Sequence, residues 1–234
     1  MRFFSFVFLF IFSLNIAAQS PAVSNLFKEG TRAANAGQFE QALKSYKTAL
    51  FAAENEYVTD AYRAQLRYNI GVCYFRTDRY ELAANEFRSA ILLKKDYARA
   101  HYALGIAESR RRNWKSASVS FQNVLQHDPT NGEAWFDLAS TSLALNDLET
   151  AETAFARSIA FGSRDSALSH NNIGVILAVK GDLSAAEKAF ETAIELSNDR
   201  LPEAKRNLVF IRSKRELVAR DFQYAGRELG SSGV

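Results

Sequence analysis

The stretch His101-Tyr102-Ala103-Leu104-Gly105, followed by Ala117 and Phe121, holds a pattern that recurs along the chain. A small residue stands four positions ahead of an aromatic at Ala42/Tyr46, Ala83/Phe87, Ala117/Phe121, Ala151/Phe155 and Ala186/Phe190. The alanines are separated by 83 − 42 = 41, 117 − 83 = 34, 151 − 117 = 34 and 186 − 151 = 35 residues. Twelve positions upstream, a second ladder keeps step at Gly30, Gly71, Gly105, Ala139 and Gly174. A period near 34 residues is the mark of stacked helical hairpins, and it points to binding rather than catalysis.

The period has a physical cause. An (i, i+4) pair lies on one face of a helix, one turn apart. The small residue admits a neighbouring helix, and the aromatic fills the adjoining space with a large apolar area. The upstream Gly or Ala does the same on the first helix, so two small residues are expected to meet where the helices cross. Interior glycine costs about 1 kcal/mol against alanine, so four glycines at equivalent places imply close packing. A third row, Phe39, Tyr80, Trp114, Leu148 and Leu183, marks the start of each second helix. The polar or Gly-containing stretches before it (Asn35-Ala36-Gly37, Arg76-Thr77-Asp78, Asn146-Asp147, Lys180-Gly181-Asp182) read as hairpin turns.

These residues resemble the tetratricopeptide repeat family, whose pattern sets an aromatic, Leu-Gly, Tyr, Ala, an aromatic, Ala and Pro over 34 residues. The match is fullest at His101 to Gly105 with Ala117, Phe121, Asp128 and Pro129, and at Trp135 to Leu138 with Ala151 and Phe155. The first repeat departs from the pattern, with Glu29 before Gly30 and Ala33 in place of Tyr. The resemblance implies an all-α, right-handed superhelical solenoid of about five helix-turn-helix repeats. They span about 23–63, 64–97, 98–131, 132–166 and 167–200. Leu201-Pro202-Glu203 then opens a capping helix over 201–225, with Pro in its first turn. Residues 226–234 read as a flexible tail.

Before the repeats, Met1-Arg2 leads into an apolar run from Phe3 to Leu14 and then Asn15-Ile16-Ala17-Ala18. One positive charge, an apolar run and small residues make a secretory signal peptide over 1–18, cleaved after Ala18. The run is shorter than the ~20 apolar residues that span a bilayer, and an uncleaved anchor is the lesser alternative. No cysteine follows for lipid attachment, and no Asn-X-Ser/Thr sequon occurs, which favours a bacterial envelope. Formal charge is +3, or 3 − 1 = +2 without Arg2, with signs interleaved, so a polyanion partner is disfavoured. Cys73 is the only cysteine and reads as a small buried apolar residue.

No constellation for chemistry emerges. His101, His127 and His170 are far apart, two of them at a position where the family packs an aromatic. No HExxH, CxxC, GxSxG or phosphate-loop motif is present. Neither a catalytic residue, a metal site nor a cofactor is expected.

Two irregularities stand out. The first spacing exceeds the period by 41 − 34 = 7 residues, in the stretch Ala52 to Arg67. Seven residues are close to two helical turns, so both helices of that junction should be longer; the alternative is a protruding ridge of Tyr57, Tyr62 and Arg63. The other is Arg110-Arg111-Arg112-Asn113-Trp114, a solvated basic turn or else an anionic docking point.

In the family, the groove is lined by first-helix positions five, nine, twelve and thirteen. Carried over, the partner-binding residues are Phe27, Tyr68, Val72, Arg76, Tyr102, Ile106, Arg110, Phe136, Ser140 and Asn171. Aromatics flanked by Arg76 and Arg110 suit a peptide with an apolar face and some acidic character. The same aromatics could instead serve packing. A carboxylate clamp for chaperone tails is incomplete: Asn69 matches, but Phe27 and Thr31 stand where Lys and Asn are needed. The expectation is a non-catalytic protein-protein interaction scaffold in the periplasm or envelope, with a protein or peptide partner, no nucleic acid and no membrane span after cleavage. The alternative is an RNA-binding helical-repeat protein.

Overall fold

The computed structural model describes residues 20–56, 58–163 and 165–230, with side chains described to residue 216. All regular structure among them is helical. The chain forms two compact units, Met1–Lys95 and Asp96–Val234, divided where the sequence marks no linker. The first holds α1 (Pro21–Asn35), α2 (Phe39–Asn55), α3 (Asp60–Arg76) and α4 (Tyr80–Leu93). The second holds α5 (Ala98–Arg110), α6 (Trp114–His127), α7 (Gly132–Ala144), α8 (Leu148–Ala160), α9 (Ser166–Lys180), α10 (Leu183–Leu196) and α11 (Pro202–Gly230). Within each unit successive helices pair as hairpins, and each hairpin packs on the next. Phe39, Tyr80, Trp114, Leu148 and Leu183 are the first residues of the five second helices, as their row in the sequence implies.

The two ladders meet inside each hairpin, though not small residue against small residue. A Cβ built on Gly30, Gly71, Gly105 or Gly174 would lie 2.6–2.7 Å from a ring carbon of Tyr46, Phe87, Phe121 or Phe190 respectively. The glycine therefore makes room for the ring edge, not for the partner alanine. Those rings are sealed from solvent, with Phe87, Phe121, Phe155 and Phe190 each at 1% exposure or less. In the fourth hairpin Ala139 stands in the glycine row, fully buried.

The turns repeat with the same step. Gly37, Asp78, Arg112, Asn146 and Gly181 each take a positive φ, of 74°, 58°, 60°, 59° and 89°. One residue on, the backbone N–H closes onto a carbonyl five residues back, as in Asn113 to Glu108 at 2.9 Å and Arg79 to Tyr74 at 2.9 Å. This is the left-handed helix stop that glycine fills without strain. Arg112 fills it with a bulky side chain. Arg112→Gly should therefore raise stability by about 1 kcal/mol, seen as a higher urea midpoint; an unchanged or lower midpoint would refute the strain. The neighbouring Arg111 does not stand free as a docking group. Its Nη1 donates to both oxygens of the fully buried Glu108, at 3.0 and 3.3 Å, and Asn113 Nδ2 adds a third bond at 2.7 Å.

At the long junction, α2 and α3 have 17 residues each, against 14 for α4 and 13 for α5. Both helices are lengthened, as the excess of seven implies. The ridge alternative fails at Tyr62, which is buried with its ring 5.4 Å from Phe27. Arg63 turns inward as well, its Nη2 donating to the Ala53 carbonyl at 3.1 Å. Tyr57 lies outside the described residues.

The last helix, α11, packs on α10 and α9. Ala204 and Ile211 are buried, while Arg212 donates to Glu187 at 2.8 Å and Glu191 at 2.6 Å and Arg215 also pairs with Glu187. These bonds, Arg212 first, hold the Glu187 carboxyl below its ordinary range. The helix continues to Gly230, past the expected end at 225. Val209 and Phe210 stay exposed, and Phe210 lines a hollow of about 360 Å³ together with Val175, Val179 and Lys214. The proposed signal segment 1–18 and the last residues of the tail lie outside the described residues.

Candidate functional site

The position-five aromatics serve packing and surface at once. Phe27 lies 5.6 Å from Tyr46, Tyr68 5.7 Å from Phe87, Tyr102 5.8 Å from Phe121 and Phe136 5.7 Å from Phe155, each pair 19 residues apart. Each tilted or edge-on pair adds about 0.5–1.5 kcal/mol beyond its buried area. One side of each ring thus belongs to its hairpin, yet Phe27, Tyr68, Tyr102 and Phe136 remain half-buried. Val72, Ile106 and Ser140 are half-buried too, and Arg76 and Arg110 are exposed. In the first unit Arg76 stacks its guanidinium 5.0 Å above the Phe39 ring.

Asn171 does not join that surface. It is buried, and its Oδ1 accepts from Asn207 Nδ2 at 3.0 Å. The fifth hairpin has no ring at this position, and an amide pair between α9 and α11 takes its place.

A second regularity links consecutive first helices. Phe27 meets Tyr62 (62 − 27 = 35), Tyr102 meets Asp137 (137 − 102 = 35) and Asn171 meets Asn207 (207 − 171 = 36). Phe27 therefore has Tyr62 beside it, from the first turn of the lengthened α3.

The sequence reading missed Asp137. The Tyr102 hydroxyl donates to its Oδ2 at 2.6 Å, and among the described residues this is its one side-chain hydrogen bond. Burial pushes the Asp137 carboxyl up to about 6; the Tyr102 bond opposes the rise, and the negative charges of Glu133 and Asp165 add to it. No cation among the described residues offsets the burial. The 35-residue step from Tyr102 marks the position in the sequence, but burial is invisible there. Tyr102→Phe should move the carboxyl higher still, since it removes the one bond that favours the charged form. Carbon-detected NMR titration of Asp137 checks this, and an unchanged or lower value would refute it.

Cys73 is buried, and burial drives its thiol up to about 11. His101 is buried, and burial lowers His170 below its ordinary value. Among the described residues no three His, Cys, Asp or Glu side chains gather as a metal site. Nor is any described helix long and apolar enough to cross a membrane.

Helical hairpins at a 34-residue step, each closed by a small residue against an aromatic, define a helical-repeat protein. Models of the tetratricopeptide repeat match residues 27–101, 110–170 and 167–200, so the chain carries tetratricopeptide repeats over most of its length. Among curated proteins it is similar to RNA polymerase II-associated protein 3 of Xenopus laevis, 28% identical over 107 residues. That alignment takes in 46% of this chain and 15% of the relative, so the chain spans less than a fifth of the curated relatives it matches. Among solved structures, MamA from Desulfovibrio magneticus RS-1 superposes with a TM-score of 0.69 at 18% identity, covering 78% of this chain and 99% of that one. YrrB, described as a TPR protein with an unusual peptide-binding site, gives 0.68 at 22%, covering 77% and 89%. These likenesses establish the fold.

Proposed function

We propose that this chain is a non-catalytic interaction scaffold, which holds an extended segment of a partner protein against the first-helix faces of its repeats. The observation that carries the reading is the row of half-buried rings, Tyr102 and Phe136 with Ile106 and Ser140 beside them. One edge of each ring is fixed by the hairpin, so the other forms a rigid aromatic surface at small entropic cost to binding. The peptide-binding site described for YrrB supports the same use of the fold.

Met1 to Ala18 support export, and with it a periplasmic or envelope setting. Fusing residues 1–25 to a reporter that is active only outside the cytoplasm tests this: activity supports export, and a silent fusion refutes it. For the scaffold itself, the test is crosslinked capture from envelope fractions with the native chain and with the Arg110→Glu/Ser140→Lys variant. Both substitutions lie on that face without entering the core. A specific protein lost from the variant supports the reading, and identical capture by both refutes it for this face.

A further inference from the structure

We propose that the second unit receives a lysine or arginine side chain of its partner at Asp137, with an adjacent apolar side chain of the same segment resting on Tyr102 and Phe136. The inference rests on the scaffold reading above and names the chemistry of the partner at that face.

Four observations carry it. Asp137 follows Phe136 on α7, and the Tyr102 hydroxyl reaches its carboxylate from α5, so the carboxylate sits against one ring of the aromatic row. Tyr102 is itself held edge-on to Phe121, and Phe136 to Phe155, so both rings are fixed before a partner arrives. The carboxylate spends one oxygen on the Tyr102 hydroxyl and finds no cation among the described residues. Among the described residues, the charges that reach it, Glu133 and Asp165, are both negative. The aliphatic stem of a Lys or Arg matches the ring faces, while its head group completes the carboxylate. An acidic segment, which Arg76 and Arg110 alone would suggest, would bring a second carboxylate against Asp137. Burial that keeps the carboxyl near 6 agrees with a charge waiting for a partner rather than one already satisfied.

The test uses the full chain and four fluorescent peptides on one Leu-Ala frame, with Lys, Arg, Glu or Ala at the central position. Fluorescence anisotropy should show the Lys and Arg peptides binding about tenfold more tightly than the Glu and Ala peptides. Asp137→Asn keeps the Tyr102 bond and removes the charge, and should reduce that preference to about twofold or less. Asp137→Lys should turn the preference towards the Glu peptide. The inference is overturned if the native chain binds all four alike or none of them, or if the preference for Lys survives in Asp137→Asn. A surviving preference that disappears in Arg110→Glu/Ser140→Lys would overturn Asp137 as its seat while leaving the scaffold reading standing. Peptide binding indifferent to both sets of substitutions would sink the two together.

Discussion

Phe121→Ala should lower stability by about 3–5 kcal/mol, the range for emptying a fully buried aromatic site. The ring is at 0% exposure, sits between α5 and α6, and supports Tyr102 edge-on at 5.8 Å. What distinguishes this site from any large core residue is Gly105. In the native chain Gly105→Ala brings a methyl to 2.6 Å from the ring, at an overpacking cost of about 1–3 kcal/mol that the better helix propensity of alanine offsets only in part. Once Phe121→Ala has emptied the space, the same Gly105→Ala change should stabilise, by about 1 kcal/mol or more, because the clash is gone and the propensity gain remains. The sign of one substitution thus depends on the other. Guanidinium unfolding followed by Trp114 fluorescence measures it, since Trp114 opens α6 in the same hairpin. Equal effects of Gly105→Ala in both backgrounds would show that the glycine ladder is not a response to the ring.

That pairing also shows where sequence ends and structure begins. The steps of 34 and 35 residues place every second helix and every turn, because each hairpin solves the same packing problem with the same residue types. They do not say which atoms meet. Gly105 and Ala117 look alike as small residues, and only the structure shows that the Phe121 ring fills the space a Cβ on Gly105 would need. The excess of seven residues is plain in the spacing, and its division between α2 and α3 follows from helical geometry. Its consequence, that Tyr62 lies beside Phe27, needs the start of α3, which no local signal fixes better than a turn. The candidate surface is legible to the same degree. Its aromatic row follows from position, whereas the amide pair that Asn171 makes with Asn207 needs the placement of α11. Asp137 reads as one acidic residue among 26 until its burial and its bond to Tyr102 are known.

Asp137→Asn should make the protein more stable at neutral pH. The carboxyl titrates near 6 in the folded chain, against an ordinary value of 3.8. Between those values the folded state keeps a proton that the unfolded state has lost, so stability is highest below about pH 4 and declines as pH rises through 6. The loss amounts to at most about 3 kcal/mol, from roughly two pKa units at 1.36 kcal/mol each. Asparagine retains an acceptor for the Tyr102 hydroxyl and carries no charge to desolvate. The variant should therefore lack this step, match the native chain near pH 4 and exceed it by about 1–3 kcal/mol at pH 7. Urea midpoints taken across pH 4 to 7 test the difference directly. A native chain whose stability relative to Asp137→Asn rises with pH would mean that a cation of its own satisfies the carboxylate, and the case for a basic partner would fall with it. If the penalty is confirmed, the native chain carries a group that weakens the fold at neutral pH. Selection for stability alone would remove such a group, whereas selection for binding a cationic side chain would keep it.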